Sequence, residues 1–210
     1  MIPLILVGGG GHCISCIDVI ESIGRFEIIG ILDLKEKLHS TVLNYKIVGD
    51  NEDINIYIPN GNNYFITIGH IKNPQLRILS FQTLKKNGAI VPSIISPRAY
   101  LSSYATVGEG SIIMHNAFVN AKSTIGINSI INTGAVIEHE TSIGDHTHIS
   151  TGAYVNGGCS VGDRVFIGSS AVIAHNLTIT NDVVIGAGTV VIRSINEPGT
   201  YVGNPARKVS

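Results

Sequence analysis

The 210-residue chain has no tryptophan, two methionines and three cysteines, and charged residues make up only 14% of it. The cysteines, Cys13, Cys16 and Cys159, are an odd and scattered set. Such a set does not form a disulfide framework and fits a reducing, cytoplasmic setting. Cys13-x-x-Cys16 follows a glycine turn and lacks the partner pair that a zinc or dithiol site needs, so no metal is expected. Fourteen basic residues face fifteen acidic ones, with no basic run. A nucleic-acid partner needs a concentrated positive face, and none is available. No apolar stretch reaches the roughly 18 residues that span a bilayer. The opening "MIPLILVGGGG" has no basic leader region and reads as a first strand.

What the chain does have is apolar material, at 44%, and 24 glycines. Over its first part these are arranged as alternating strands and helices. "IPLILVGGGGHCISCIDVIESIG" is an apolar strand, a glycine turn and then a helical spacing that stops near Gly24. "FEIIGILD" and "YFITIG" read as further buried strands. "NPQLRILSFQTLKKNG" reads as a helix entered at Asn73-Pro74 and closed at Gly88. Continuous apolar runs in this order predict a small parallel α/β sheet, Rossmann-like, over residues 1–90.

A different pattern governs residues 91–210. From Ile95 to Val191 an aliphatic residue falls on every sixth position, seventeen times without a slip. A small residue stands two places earlier at Ala105, Ser111, Ala117, Ser123, Ser129, Ala135 and Ala153. Glycine follows the aliphatic position at Gly108, Gly126, Gly144 and Gly162. A period of six matches neither the 3.6 of a helix nor the 2 of an ordinary strand. It is the signature of a parallel β-helix, in which three hexads make one coil and coils stack about 4.8 Å apart.

Five segments carry a closer likeness. "VGGGGH", a strand ending in "ILD", the later "TIG", the hexad "VIEHE" and the closing "YVGNPAR" together resemble the sugar O/N-acetyltransferases of the sialic-acid and bacillosamine branch. These are left-handed β-helix acyltransferases. The likeness implies the left-handed coil, since parallel crossovers are otherwise right-handed. It also implies an N-terminal domain that holds a nucleotide-linked sugar and a β-helix that binds acetyl-CoA. Three chains are expected to assemble, with active sites between neighbours.

On residues alone, His139 is either an exposed corner histidine or a base on an open shelf, because its neighbours one coil away are Ala121 and Gly157. The resemblance makes it the catalytic base, with Glu140 tuning it. Imidazole suits removal of a proton from an attacking amine near neutral pH. Glu138 faces away by alternation. His148 is implied as a contact at the acetyl end, donating to the developing oxyanion, and Ser169 and Ala187 as backbone contacts to CoA. His146-x-His148 has metal-like spacing but no third ligand.

In the first domain the glycine turn suits a diphosphate at a helix N-terminus. The resemblance assigns Gly10, Gly11 and His12 to the sugar-nucleotide loop, Asp33 to a ribose or sugar contact, and Gly69 to a further contact loop. By the same resemblance, relatives acting on the UDP-linked 4-amino sugar have two acidic residues where this chain has Asp33-Leu34, and amides after the glycine where it has Gly69-His70-Ile71. The remaining histidines, His39, His70, His115 and His175, read as solvated or packing residues. The expected activity is acetyl transfer from acetyl-CoA to the amine of a nucleotide-linked amino sugar in surface-glycan synthesis. The transfer is direct, in a ternary complex. O-acetylation of sialic acid or a related sugar is the near alternative. A non-catalytic scaffold or sugar-nucleotide sensor is the distant one.

Overall fold

A computed structural model describes residues 1–50, 53–54 and 63–210. The chain divides into two compact units, residues 1–69 with 75–94, and residues 70–74 with 95–210.

The first unit is built on a sheet. Strand β1 (Ile2–Val7) lies between β2 (Phe26–Asp33) and β5 (Asn63–Ile66), all parallel. Beyond β2 come β4 (Tyr45–Asp50), parallel, and the short antiparallel edge strand β3 (Thr41–Val42). The hairpin of β3 and β4 is not visible in the apolar pattern, because its outer strand is two residues long and half exposed. Helix α1 (Gly11–Ile23) stops at Gly24, whose left-handed φ of 66° lets its N–H close on the Glu21 carbonyl. The helix Gln75–Lys86 starts just after the expected Asn73-Pro74 entry. The core holds Leu4, Ile5, Leu6, Val7, Ile31, Leu32 and Phe65.

Arg77 is fully buried in this unit. Its Nη1 donates to the carbonyls of Ile66 at 2.7 Å, the last residue of β5, and Ile68 at 2.9 Å. Burial pulls its pKa down to about 10, which still leaves the guanidinium charged at neutral pH.

The second unit is a left-handed parallel β-helix built mostly of two-residue strands. Its first face stacks Tyr100–Leu101, Phe118–Val119, Val136–Ile137, Tyr154–Val155, Val172–Ile173 and Val190–Val191. The second face runs from Thr106–Val107 to Thr178–Ile179, and the third carries Ile112–Ile113, Ile130–Ile131, His148–Ile149 and Phe166–Ile167. Each residue pairs with the one eighteen positions on, as Val119 does with Ile137. The inward residues Val119, Ile137, Val155 and Ile173 have no exposed surface. No helix among the described residues is long and apolar enough to cross a membrane.

The repeated glycines have a packing cause. A Cβ on Gly108 would come within 2.6 Å of the Gly126 carbonyl carbon and oxygen on the next coil. Backbone cannot yield at that distance, so the coils would have to spread. Gly108→Ala is therefore expected to lower unfolding stability by about 1–3 kcal/mol in urea melts. A stability equal to the parent would contradict this packing.

Candidate active site

The turn between the first and second faces places His139 and Glu140 at its tip. Stacking locks this turn from both sides. Glu140 N–H donates to the Ala121 carbonyl at 3.1 Å, and the His139 carbonyl accepts from Gly158 N–H at 3.0 Å. Glu140 takes a left-handed φ of 58°, which turns its side chain back beside the histidine. Its Oε2 lies 3.6 Å from His139 Nδ1, while Lys122 Nζ, one coil back, donates to its Oε1 at 3.2 Å. The Lys122 ammonium, by hydrogen bond and by charge, holds the Glu140 carboxyl below its ordinary pKa, and His139 adds to the effect.

Gly157 supplies the shelf. A Cβ there would stand 2.7 Å from both Cε1 and Nε2 of His139. The imidazole therefore lies over bare backbone, in a position that any other residue at 157 would dispute. The side chains of His139 and Glu140 are 58% and 55% exposed. Water thus screens their coupling in the single chain. Glu138 is engaged elsewhere, accepting from Asn120 Nδ2 at 2.6 Å.

His148 stands on the third face, away from the His139 turn within one chain. It is buried, and its Nδ1 is 2.8 Å from the His70 carbonyl. Asn132 Nδ2 meets its Nε2 at 3.1 Å. Asn132 Oδ1 accepts from Thr133 N–H at 2.8 Å, which fixes the amide so that its NH₂ faces the ring. His148 is accordingly the Nδ1–H tautomer, with Nε2 accepting. In that state its one N–H is given to His70 and its Nε2 lone pair to Asn132. Its ring sits edge-on to His70 and Phe166, with centroids 5.5 and 5.2 Å apart. Ser169 and Ala187 are exposed on successive coils at the next corner. The Ser169 carbonyl accepts from Gly188 N–H, and its hydroxyl meets Ser150 Oγ at 3.0 Å.

His146 points to a different neighbour, with Nδ1 3.0 Å from Asn128 Nδ2. No group of three metal-binding side chains is found among the described residues. Desolvation raises the Cys159 thiol, and its Sγ donates to the Ala174 carbonyl, which removes it as a nucleophile. Burial likewise pushes Cys13 up to about 11 and Cys16 higher still.

In the first unit, Gly10 caps α1 and a Cβ at Gly10 or Gly11 would meet nothing within 4 Å. The helix entrance is thus open space ringed by backbone. His12 packs on Gly69, where a Cβ would come 3.2 Å from the His12 Cβ. Asp33 is spent internally. Its Oδ2 accepts from Gly9 N–H at 2.9 Å and Lys37 Nζ at 2.8 Å, and its Oδ1 from Leu34 N–H at 2.8 Å. It shapes the glycine turn and is 8% exposed.

Residues 3–84 match the PglD N-terminal domain model, and residues 158–193 match the bacterial transferase hexapeptide model. Perosamine N-acetyltransferase from Caulobacter crescentus superposes with a TM-score of 0.93 at 30% identity, over 99% of this chain and 97% of that one. The chain belongs to the hexapeptide-repeat sugar acyltransferases. The Caulobacter relative was solved with CoA and GDP-perosamine, in a variant with a histidine replaced by asparagine. The acetyltransferase domain of PglB from Neisseria gonorrhoeae superposes with a TM-score of 0.92 at 27% identity, covering 99% of both chains. That domain was also solved with acetyl coenzyme A. A sequence comparison with curated proteins finds no match.

Asn132 and Lys122 were not singled out in the sequence. Lys122 could have been found from the period alone, since it stands eighteen residues before Glu140. Replacing it tests the electrostatics. In Lys122→Met the Glu140 carboxyl should titrate at a higher pH than in the parent, followed by NMR of the side-chain carboxyl carbon. An unmoved titration would show that Lys122 does not hold the carboxylate.

Proposed function

We propose that this family member is an acetyl-CoA-dependent N-acetyltransferase acting on the amine of a nucleotide-linked amino sugar in surface-glycan synthesis. The observation that carries this reading is the turn that holds His139 above Gly157 with Glu140 at its Nδ1. Glu140 favours the tautomer with hydrogen on Nδ1 and the lone pair on Nε2. Nε2 then removes the proton as the amine nitrogen attacks the thioester carbonyl, and the CoA thiolate leaves. Direct transfer in a ternary complex fits the absence of a usable thiol nucleophile among the described residues. The relatives' complexes with CoA, acetyl coenzyme A and GDP-perosamine support the two substrates.

The nucleotide-sugar diphosphate is assigned to the open entrance of α1, at Gly10 and Gly11, where free N–H groups and the helix dipole favour an anion. His12 and Gly69 line this place, and Asp33 orders the turn rather than touching the ribose. CoA is assigned to the corner of Ser169 and Ala187, with His148 and Asn132 toward the acetyl end. The amide of Asn132 keeps a second N–H that can point at the oxyanion.

Assembly as a trimer, in a cytoplasmic setting, completes the proposal. The outward residues of the first face are Tyr100, Phe118, Val136, Tyr154, Val172 and Val190, while those of the second are Thr106, Thr124, Ser142, Ser160 and Thr178. Tyr100 and Phe118 stack at 4.7 Å, and Tyr100 and Tyr154 are about half exposed. An apolar face of this kind calls for a partner, whereas a hydroxyl face is content in water. Packing three first faces about a common axis brings the His139 corner of one chain to the Ser169 and Ala187 corner of the next. Both corners border that face.

Thiol release from acetyl-CoA with a panel of UDP-, GDP- and dTDP-linked amino sugars tests the activity. Release with an amino sugar is expected, and His139→Asn should lower its rate by about 10²–10⁴-fold. Release only with a hydroxyl acceptor would overturn amine transfer. Tyr154→Asp should yield monomers in light scattering, with loss of turnover. A variant that stays trimeric would place the seam on another face.

A further inference from the structure

Residues 70–74 leave the first unit and pack as part of the β-helix unit. They follow directly on Gly69, the loop glycine assigned above to sugar contact. A hydrogen bond from His148 secures them. The carbonyl of His70 can only accept, so the 2.8 Å contact requires hydrogen on His148 Nδ1. The Asn132 amide then confirms the tautomer from the other side, since its oxygen is committed to Thr133 N–H. Phe166, one coil on, stands edge-to-face with the ring at 5.2 Å, and the His70 ring does so at 5.5 Å. A buried imidazole with both nitrogens engaged and two rings against it has one orientation.

We propose that His148 is a positioning residue for residues 70–74, the segment that follows the acceptor loop: its Nδ1–H, given to the His70 carbonyl, ties them to the β-helix, while its Nε2 faces Asn132. One side chain thereby links the peptide next to the sugar loop with the amide assigned to the acetyl end. The inference rests on the reading that Gly69 lies in the sugar loop. It gives His70 a role through its carbonyl and ring rather than through a side-chain contact to substrate.

Two substitutions separate the nitrogens. In His148→Asn the Nδ2 of asparagine occupies the place of the imidazole Nδ1 and can still donate to the His70 carbonyl. In His148→Gln the amide reaches only the position of Nε2. Hydrogen–deuterium exchange over residues 70–74 is the primary measurement, made on the full-length protein without ligands. Exchange should stay within about 3-fold of the parent in His148→Asn and rise at least 10-fold in His148→Gln and His148→Ala. Equal exchange in all three variants, or faster exchange in the asparagine than in the glutamine variant, would overturn the proposal. The KM for an amino-sugar nucleotide turned over by the parent should follow the same order, asparagine below glutamine and alanine. If the parent turns over no amino sugar, the N-acetyltransferase reading fails, while the exchange pattern still decides the role of His148.

Discussion

The structure depends on the interstrand hydrogen bond repeated every eighteen residues. Each coil donates to the next through the same positions, as Ser142 N–H does to the Cys159 carbonyl and Gly144 N–H to that of Val161. Because parallel ladders are evenly spaced, a residue's neighbours above and below are fixed by arithmetic. The inward aliphatics fill the prism, and the corners become columns of side chains. Chemistry on such a scaffold is a matter of which residues share a column. His139 owes its open shelf to Gly157, and Glu140 its second partner to Lys122, by this register alone.

That same register explains how the site combines rigidity with access. The His139 turn is held by backbone bonds on both sides, so the proposed base stands on a fixed element. The imidazole and carboxylate nevertheless remain more than half exposed, which leaves them within reach of a substrate, as the proposed role requires. His148 is the opposite case. It is buried, its tautomer is dictated by a carbonyl and an amide, and its value lies in what it holds. In the proposed mechanism two histidines nine residues apart divide the labour between proton transfer and placement.

The β-helix was legible because every rung repeats the same small set of demands. An aliphatic must point inward, a small residue must sit at the corner, and a glycine must stand where backbones approach. Seventeen hexads state those demands over and over. The first unit was legible in its strands and helix stops, where apolar runs and Gly24 carry the information, and less so at the two-residue edge strand. The His139–Glu140 pair was named through its hexad and not through geometry. Partners set by side-chain orientation were hidden. Nothing in the letters says that Asp33 spends both oxygens on its own turn, or that the Asn132 amide is pinned by Thr133. Residues 70–74 lie outside the repeat, so no period announced that His70 would meet His148.

A crystal structure of the assembled protein with CoA and its amino-sugar nucleotide tests the central claim most directly. The account predicts the sugar nitrogen within about 3 Å of His139 Nε2, over Gly157, with the CoA sulfur beside it at a seam between chains. A sugar nitrogen out of reach of His139, with another side chain at hydrogen-bonding distance in its stead, would contradict it.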